Sequence, residues 1–393
     1  MIDDIVILGA ARTPQGRARG ALSNIAAVQL GGLAARAAID RSTVPRDAIT
    51  AAIIGQVLQA GAGQNPARQT AIAAGLPWST PAHAVNSVCL SGARAVVDAA
   101  RLIALGEADA VLAVGQESMT NAPHLLPGAR LGWAYGTVGA LDHAAHDGLT
   151  DAFENDSMGA ATERHARSLG ITRREQDELA AESHRRAAAA ADAGRFAAEL
   201  VVVETTDRRG LQRIEHDEGV RRDSDAESLG MLRPAFASDG TITAGNASPL
   251  SDGAAAVIVA RGSWAREQGA SILARITGWA EVAGPDTSLH SQPSRAITSA
   301  LTRAGKSLES LDLVEINEAF AVVAIQSTRD LGLDPAIVNP DGGAIALGHP
   351  IGASGARLVA HAAHQIAAGR ARHAAIALCG GGGQGQAIVL ERA

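Results

Sequence analysis

A chain of 393 residues exceeds what one hydrophobic core usually serves, so two or three domains, or one duplicated architecture, are expected. Hydrophobic residues at 47% against 19% charged exclude a disordered chain, and a net charge of −7 argues against a nucleic-acid surface, which needs a concentrated basic face. Two cysteines exclude a disulfide framework and a four-thiolate zinc site, leaving catalysis or inert burial for each.

The chain opens MIDDIVILGAARTP, with two aspartates ahead of a short apolar run, opposite to the basic start of a signal peptide. No uncharged apolar stretch reaches bilayer-spanning length, so the protein is expected to be soluble and cytoplasmic, with no membrane partner. In NSVCLSGAR, Cys89 precedes a helix whose first turn begins near Leu90 to Gly92; helix N–H groups and dipole would favour its thiolate. That helix ends at Gly106, suited to a C′ position, and leads into the strand ADAVLAVG.

From residue 121 to about 245 the pattern breaks. NAPHLLPGARLGWAYG is rich in prolines, glycines and large aromatics, and Thr172 with Glu175 form a capping box for a long helix ending near Ala193 and Gly194. The tract TTDRRGLQRIEHDEGVRRDSDAESLG reads as surface excursions, either a solvated loop or a cap over an active site with Arg221 and Arg222 available to phosphates.

In LVEINEAFAVV, Asn317, Glu318 and Phe320 follow a short strand, where Asn317 would cap a helix, hold a water or orient an imidazole. His349 lies in GGAIALGHPIGASGAR and is placed to take a thiol proton. Cys379 ends the strand HAAIALC ahead of Gly380 to Gly383, whose unhindered amides could approach an oxyanion. Gly380, Gly382 and Gly385 satisfy the dinucleotide fingerprint, but that motif must open a helix, and AIVLERA reads as a final strand. Two thiols, one imidazole and amide donors suit acyl transfer through a thioester.

The chain also repeats itself. Ser91–Gly106 and Ser354–Gly369 agree at ten of sixteen positions, and ITAAIIGQVLQAG echoes LDLVEINEAFAVV at nearly the same offset. Asn86 lies five residues before Ser91, whereas Asn339 lies fifteen before Ser354, so His349 sits on a ten-residue extension. Two similar α/β halves are expected, residues 1–120 with 245–270 and residues 271–393, around an inserted loop domain at 121–244.

Together NSVCLSG, GQESMTNAPH, GTITAGNASPLSDGAAA, NEAFA, GGAIALGHPIGASGAR and CGGGGQGQA resemble the thiolase family, most closely its acetyl-CoA C-acetyltransferases. The resemblance implies an α/β fold of two βαβαβαββ halves in a five-layer αβαβα arrangement. It implies that Cys89 accepts the acyl group, that His349 activates it, and that Cys379 deprotonates the second substrate. Asn317 would hold a water that completes one oxyanion hole with His349; the amides of Cys89 and Gly381 would form another. Arg221, Ser248, Ala244, Met158 and Phe236, with Leu149 and Phe320, would line the coenzyme A path. Ser248 also reads as a plain turn serine.

The implied reaction joins two acetyl-CoA into acetoacetyl-CoA and CoA, and runs backwards as thiolysis, with no metal or redox cofactor. A homodimer is implied, often paired into a homotetramer through the 121–140 loop. Two departures from the biosynthetic pattern, Ser157 for histidine and Pro249 for glycine, leave chain length open. The alternatives are a broader degradative 3-ketoacyl-CoA thiolase, a condensing enzyme working on a carrier protein, and a non-catalytic acyl-CoA binding protein. Carrier-protein enzymes usually pair one cysteine with two histidines, and non-catalytic relatives tend to lose the reactive residues.

Overall fold

The computed structural model describes residues 4–207 and 210–393; Asp3 of the acidic start and Arg208 and Arg209 of the charged tract lie outside them. Its centre is a ten-stranded mixed sheet: β1 (Ile5–Arg12), β2 (Gly16–Arg17), β3 (Ala51–Gly55), β4 (Ala82–Val85), β5 (Ala110–Ser118), β6 (Ser251–Arg261), β7 (Ala274–Ala283), β8 (Leu313–Ile316), β9 (His373–Gly380) and β10 (Gln384–Glu391). The order is β8-β9-β10-β7-β1-β6-β5-β3-β4, with β2 beside β6.

The repeat is visible in this order. β1, β6, β5 and β3 form one run, and β7, β10, β9 and β8 form its copy; within these runs β3–β5 and β8–β9 are parallel, as is β3–β4 beyond them. β4 pairs with β3 on the far side, and its counterpart shrinks to one bridge between Val314 and Val338. The two runs join where Ile5–Ile7 of β1 meets Ala274–Ile276 of β7. Each joining strand carries an irregularity, between Ile7 and Gly9 and between Ile276 and Gly278. There each glycine lies close against a helix, and a Cβ on Gly278 would come within 2.8 Å of the Ala300 carbonyl.

Helices α1 (Ala27–Ser42) and α2 (Pro66–Ala73) cover one outer face, and α6 (Gln292–Ala304) and α7 (Ala321–Leu331) the other. Between the sheet halves lie α3 (Ser91–Ala104) and α8 (Ser354–Ala367), the repeated helices, completing five layers. Gly92 and Gly355 mark their crossing: a Cβ on Gly92 would lie 2.7 Å from the Ala356 nitrogen, and one on Gly355 would overlap that of Ala93. With aromatics at 2%, the interior is close-packed from Ala, Val, Ile and Leu, and glycine lets backbones touch.

Residues 121–244 contain short hairpins and the helices α4 (Met158–Ala166) and α5 (Arg173–Asp192). Thr172 and Glu175 form the expected capping box, and Gly194 follows α5 with φ +67°. A buried ionic cluster ties this segment to both halves. Arg12 bonds Glu199 at 2.6 Å and Asp217 at 2.7 Å, while His361 reaches Glu199 at 2.8 Å and Asp341 at 3.4 Å. Among the described residues no helix is long and apolar enough to cross a membrane.

Candidate active site

Because α3 and α8 cross near their first turns, the loops that precede them meet. Cys89 occupies the turn before α3, where Val88 takes φ +51°, a left-handed conformation that a β-branched residue holds only when its surroundings enforce it. Ser91 enforces it: its hydroxyl donates to the Val88 carbonyl at 2.6 Å and accepts from the Ser87 N–H at 2.9 Å. From the other half, Cys379 is the last residue but one of β9 and is buried. Gly380 lies so close to Leu90 that a Cβ would come within 2.7 Å of its Cγ.

Burial pushes the Cys89 thiol up to about 12; the N–H groups of Cys89 and Gly381 oppose this, and the neighbouring Glu117 adds to it. Desolvation thus works against the thiolate that the helix terminus is expected to favour. Burial raises the Cys379 thiol as well, with Cys89 as a second cause.

His349 is buried, and desolvation, then Arg357, lowers its imidazole to about 3. The His349 backbone N–H donates to Ser251 Oγ at 3.1 Å, and that hydroxyl donates to the Pro249 carbonyl at 2.7 Å. Its Nδ1 lies 2.6 Å from Ser354 Oγ. Asn317, following β8, places Nδ2 at 3.4 Å from both ring nitrogens. In the ring plane an equidistant atom would collide with Cε1, so the amide lies off that plane. Its Oδ1 is buried without a partner, which leaves an acceptor for a water or substrate group.

Two buried carboxylates hold these loops. Glu117 accepts from the N–H groups of Val57, Leu58 and Gly352, and burial lifts it to about 7. Glu318 accepts from Ser183, Asn339 and the Ile345 N–H. The sequence reading missed Glu117, Ser251 and Ser354 as site residues, although each stands inside a quoted motif; only Ser354, five residues after His349, lies beside a reactive residue in sequence.

Cys89, His349, Cys379 and Gly381 line one cavity of about 330 Å³ together with Leu149, Met158, Phe236, Ser248 and Phe320. Phe236 and Phe320 meet edge to face at 6.3 Å. Ser248 donates its hydroxyl to the Ala319 carbonyl at 3.0 Å, a bond to the loop before α7 and not one within its own turn. Ser157 caps α4 by accepting the Ala160 N–H at 3.2 Å. Arg221 and Ala244 do not reach this cavity; they line an adjoining groove that shares Ala247, Pro249 and Leu250 with it and also includes Arg17. Arg222, expected to be available to phosphates, instead pairs with Asp192 at 2.7 Å.

Such a site, built where two copies of one α/β unit meet, defines the class. The model of the thiolase N-terminal domain matches residues 5–263 and that of the thiolase C-terminal domain residues 270–392; the chain belongs to the thiolase family. It is 52% identical over 388 residues to a probable acetyl-CoA acetyltransferase of Mycolicibacterium smegmatis, covering 98% of this chain and 100% of the relative. A probable acetyl-CoA acetyltransferase of Escherichia coli is 46% identical, with 99% of each covered. The crystal structure of human mitochondrial 3-ketoacyl-CoA thiolase superposes with TM-score 0.96 at 37% identity, covering all of both chains.

Proposed function

We propose that the protein is an acetyl-CoA C-acetyltransferase, joining two acetyl-CoA into acetoacetyl-CoA plus CoA and catalysing the reverse thiolysis. The observation that carries this is the convergence of two cysteine thiols and one imidazole on a single cavity. His349 takes the Cys89 proton as sulfur attacks the thioester carbonyl, and Cys379 gives its proton to the departing CoA sulfur. This leaves acetyl-Cys89, an imidazolium and a Cys379 thiolate. The thiolate removes a Cα proton from the second acetyl-CoA, and the enolate carbon attacks the acetyl group. Cys89 departs and recovers its proton from His349, restoring the starting state.

The imidazolium Nε2–H and a water on Asn317 would face the enolate oxygen, and the N–H groups of Cys89 and Gly381 would face the acyl oxygen. Leu149, Met158, Phe236, Ser248 and Phe320 would enclose the pantetheine, with Arg221 and Ala244 farther out toward the nucleotide. Incubation with acetyl-CoA should leave an acetyl group on the Cys89 peptide by mass spectrometry; an unmodified peptide under turnover conditions would refute the covalent route.

The apolar wall of Met119, Leu149, Leu289 and Ile351 favours a second reading, a broader 3-ketoacyl-CoA thiolase. We expect a higher kcat/KM for acetoacetyl-CoA than for 3-ketohexanoyl-CoA, and the opposite order would favour the broader enzyme. The proposed assembly is a homodimer or homotetramer, supported in the 121–140 loop by Leu131 and Tyr135, 94% and 108% exposed. Light scattering of the purified chain should give a multiple of its 39.9 kDa mass, and a monomer would dismiss the assembly.

A further inference from the structure

We propose that Ser354 is a positioning residue that keeps a proton on Nδ1 of His349, so that Nε2 is a lone pair in the resting enzyme and an N–H donor after acylation. The inference rests on the reading of His349 as the base.

Ser354 Oγ lies 2.6 Å from His349 Nδ1 and 3.0 Å from the Pro350 carbonyl oxygen. Only the serine hydrogen can stand between those two oxygens, because a carbonyl has none to give. With its hydrogen on Pro350, the hydroxyl meets Nδ1 through a lone pair, and the hydrogen of the 2.6 Å contact then belongs to the imidazole. Asn317 does not compete, since its amide lies off the ring plane. Ser354 is fully buried, so no bulk water exchanges with this contact.

The same arrangement serves both charge states. When Nε2 takes the Cys89 proton, Nδ1–H still donates to Ser354, and the new Nε2–H is available to an oxyanion. When His349 returns that proton to Cys89, only the Nε2 bond breaks. No proton need leave Nδ1 during the cycle. The repeat supplies the parallel: Ser91, the counterpart of Ser354, holds the Cys89 turn with the same hydroxyl. One duplicated serine places the nucleophile and the other orients the base.

Histidine labelled with nitrogen-15 in the full chain, without substrate, tests this; the signal that disappears in His349→Gln is the assignment. The wild type should show Nδ1 protonated and Nε2 bare at neutral pH. Ser354→Ala should shift the signals toward the other tautomer. It should also lower kcat about ten- to a hundredfold, part of the roughly 10²–10⁴-fold due to a positioned general base, with KM changed less than about twofold. Ser354→Thr, which keeps the hydroxyl, should restore the wild-type pattern. A wild-type spectrum with Nε2 protonated overturns the proposal whether or not any variant folds. So does Ser354→Ala with unchanged signals, or with unchanged kcat. Because the spectrum needs no substrate, failure of acetyl transfer with Nδ1 still protonated would count against the reaction assignment alone.

Discussion

At the residue scale, the site is set by desolvation. The ionised fraction of a thiol pushed up to about 12 grows tenfold with each unit that pH rises toward that value, so alkylation of Cys89 by iodoacetamide should keep rising through pH 9. A plateau near pH 7 would reveal a resting thiolate–imidazolium pair instead. Cys379→Ser should lower acetoacetyl-CoA synthesis by about 10²-fold or more while still permitting acetylation of Cys89, read as turnover against label incorporation. Synthesis at the wild-type rate would remove Cys379 from proton transfer. Cys89 and His349 stood out in the sequence because reactive residue types beside glycine turns are conspicuous. The protonation state of Cys89 did not, because it depends on Val57, Leu58, Met119 and Ile351 closing around the sulfur from distant parts of the chain.

At the scale of elements, the crossing of α3 and α8 is the most demanding contact. A methyl at Gly355 has to displace the backbone of Ala93, so Gly355→Ala should cost about 1–3 kcal/mol and lower the melting temperature. An unchanged melt would mean that the helices part freely. The helix ends at Gly106, Gly194 and Gly369 were legible because a C′ glycine is a local signal, and all three have positive φ. The capping box at Thr172 was legible for the same reason. The two-residue strands near His124 and Asp156 have too few positions to show alternation. The β1–β7 join was illegible too, because its partners are separated by most of the chain.

For the whole molecule, the buried ionic cluster fastens the 121–244 segment to both halves. Glu199 raises His361 to about 10 against the desolvation that would lower it. With the folded value above the unfolded one near 6.5, this group's contribution to stability is complete below about pH 6.5 and is lost as pH rises through about 10. Urea midpoints should accordingly fall between those limits, and less so in His361→Gln. A buried partner left uncompensated costs about 3–5 kcal/mol, so that variant should also be less stable at neutral pH. A midpoint that matches the wild type would show that the cluster holds nothing together.

The meeting of Gly92 and Gly355 also separates what the two halves share from what they do not. Two identical half-chains related by that crossing would have presented identical loops to each other, each inheriting every mutation of the other. Two separately encoded copies are free of that constraint, and here one spacer between asparagine and serine is five residues while the other is fifteen and carries His349. The contact between the helices is thus the symmetric part of the site and the loops its asymmetric part, so the two chemical roles rest on one shared interface.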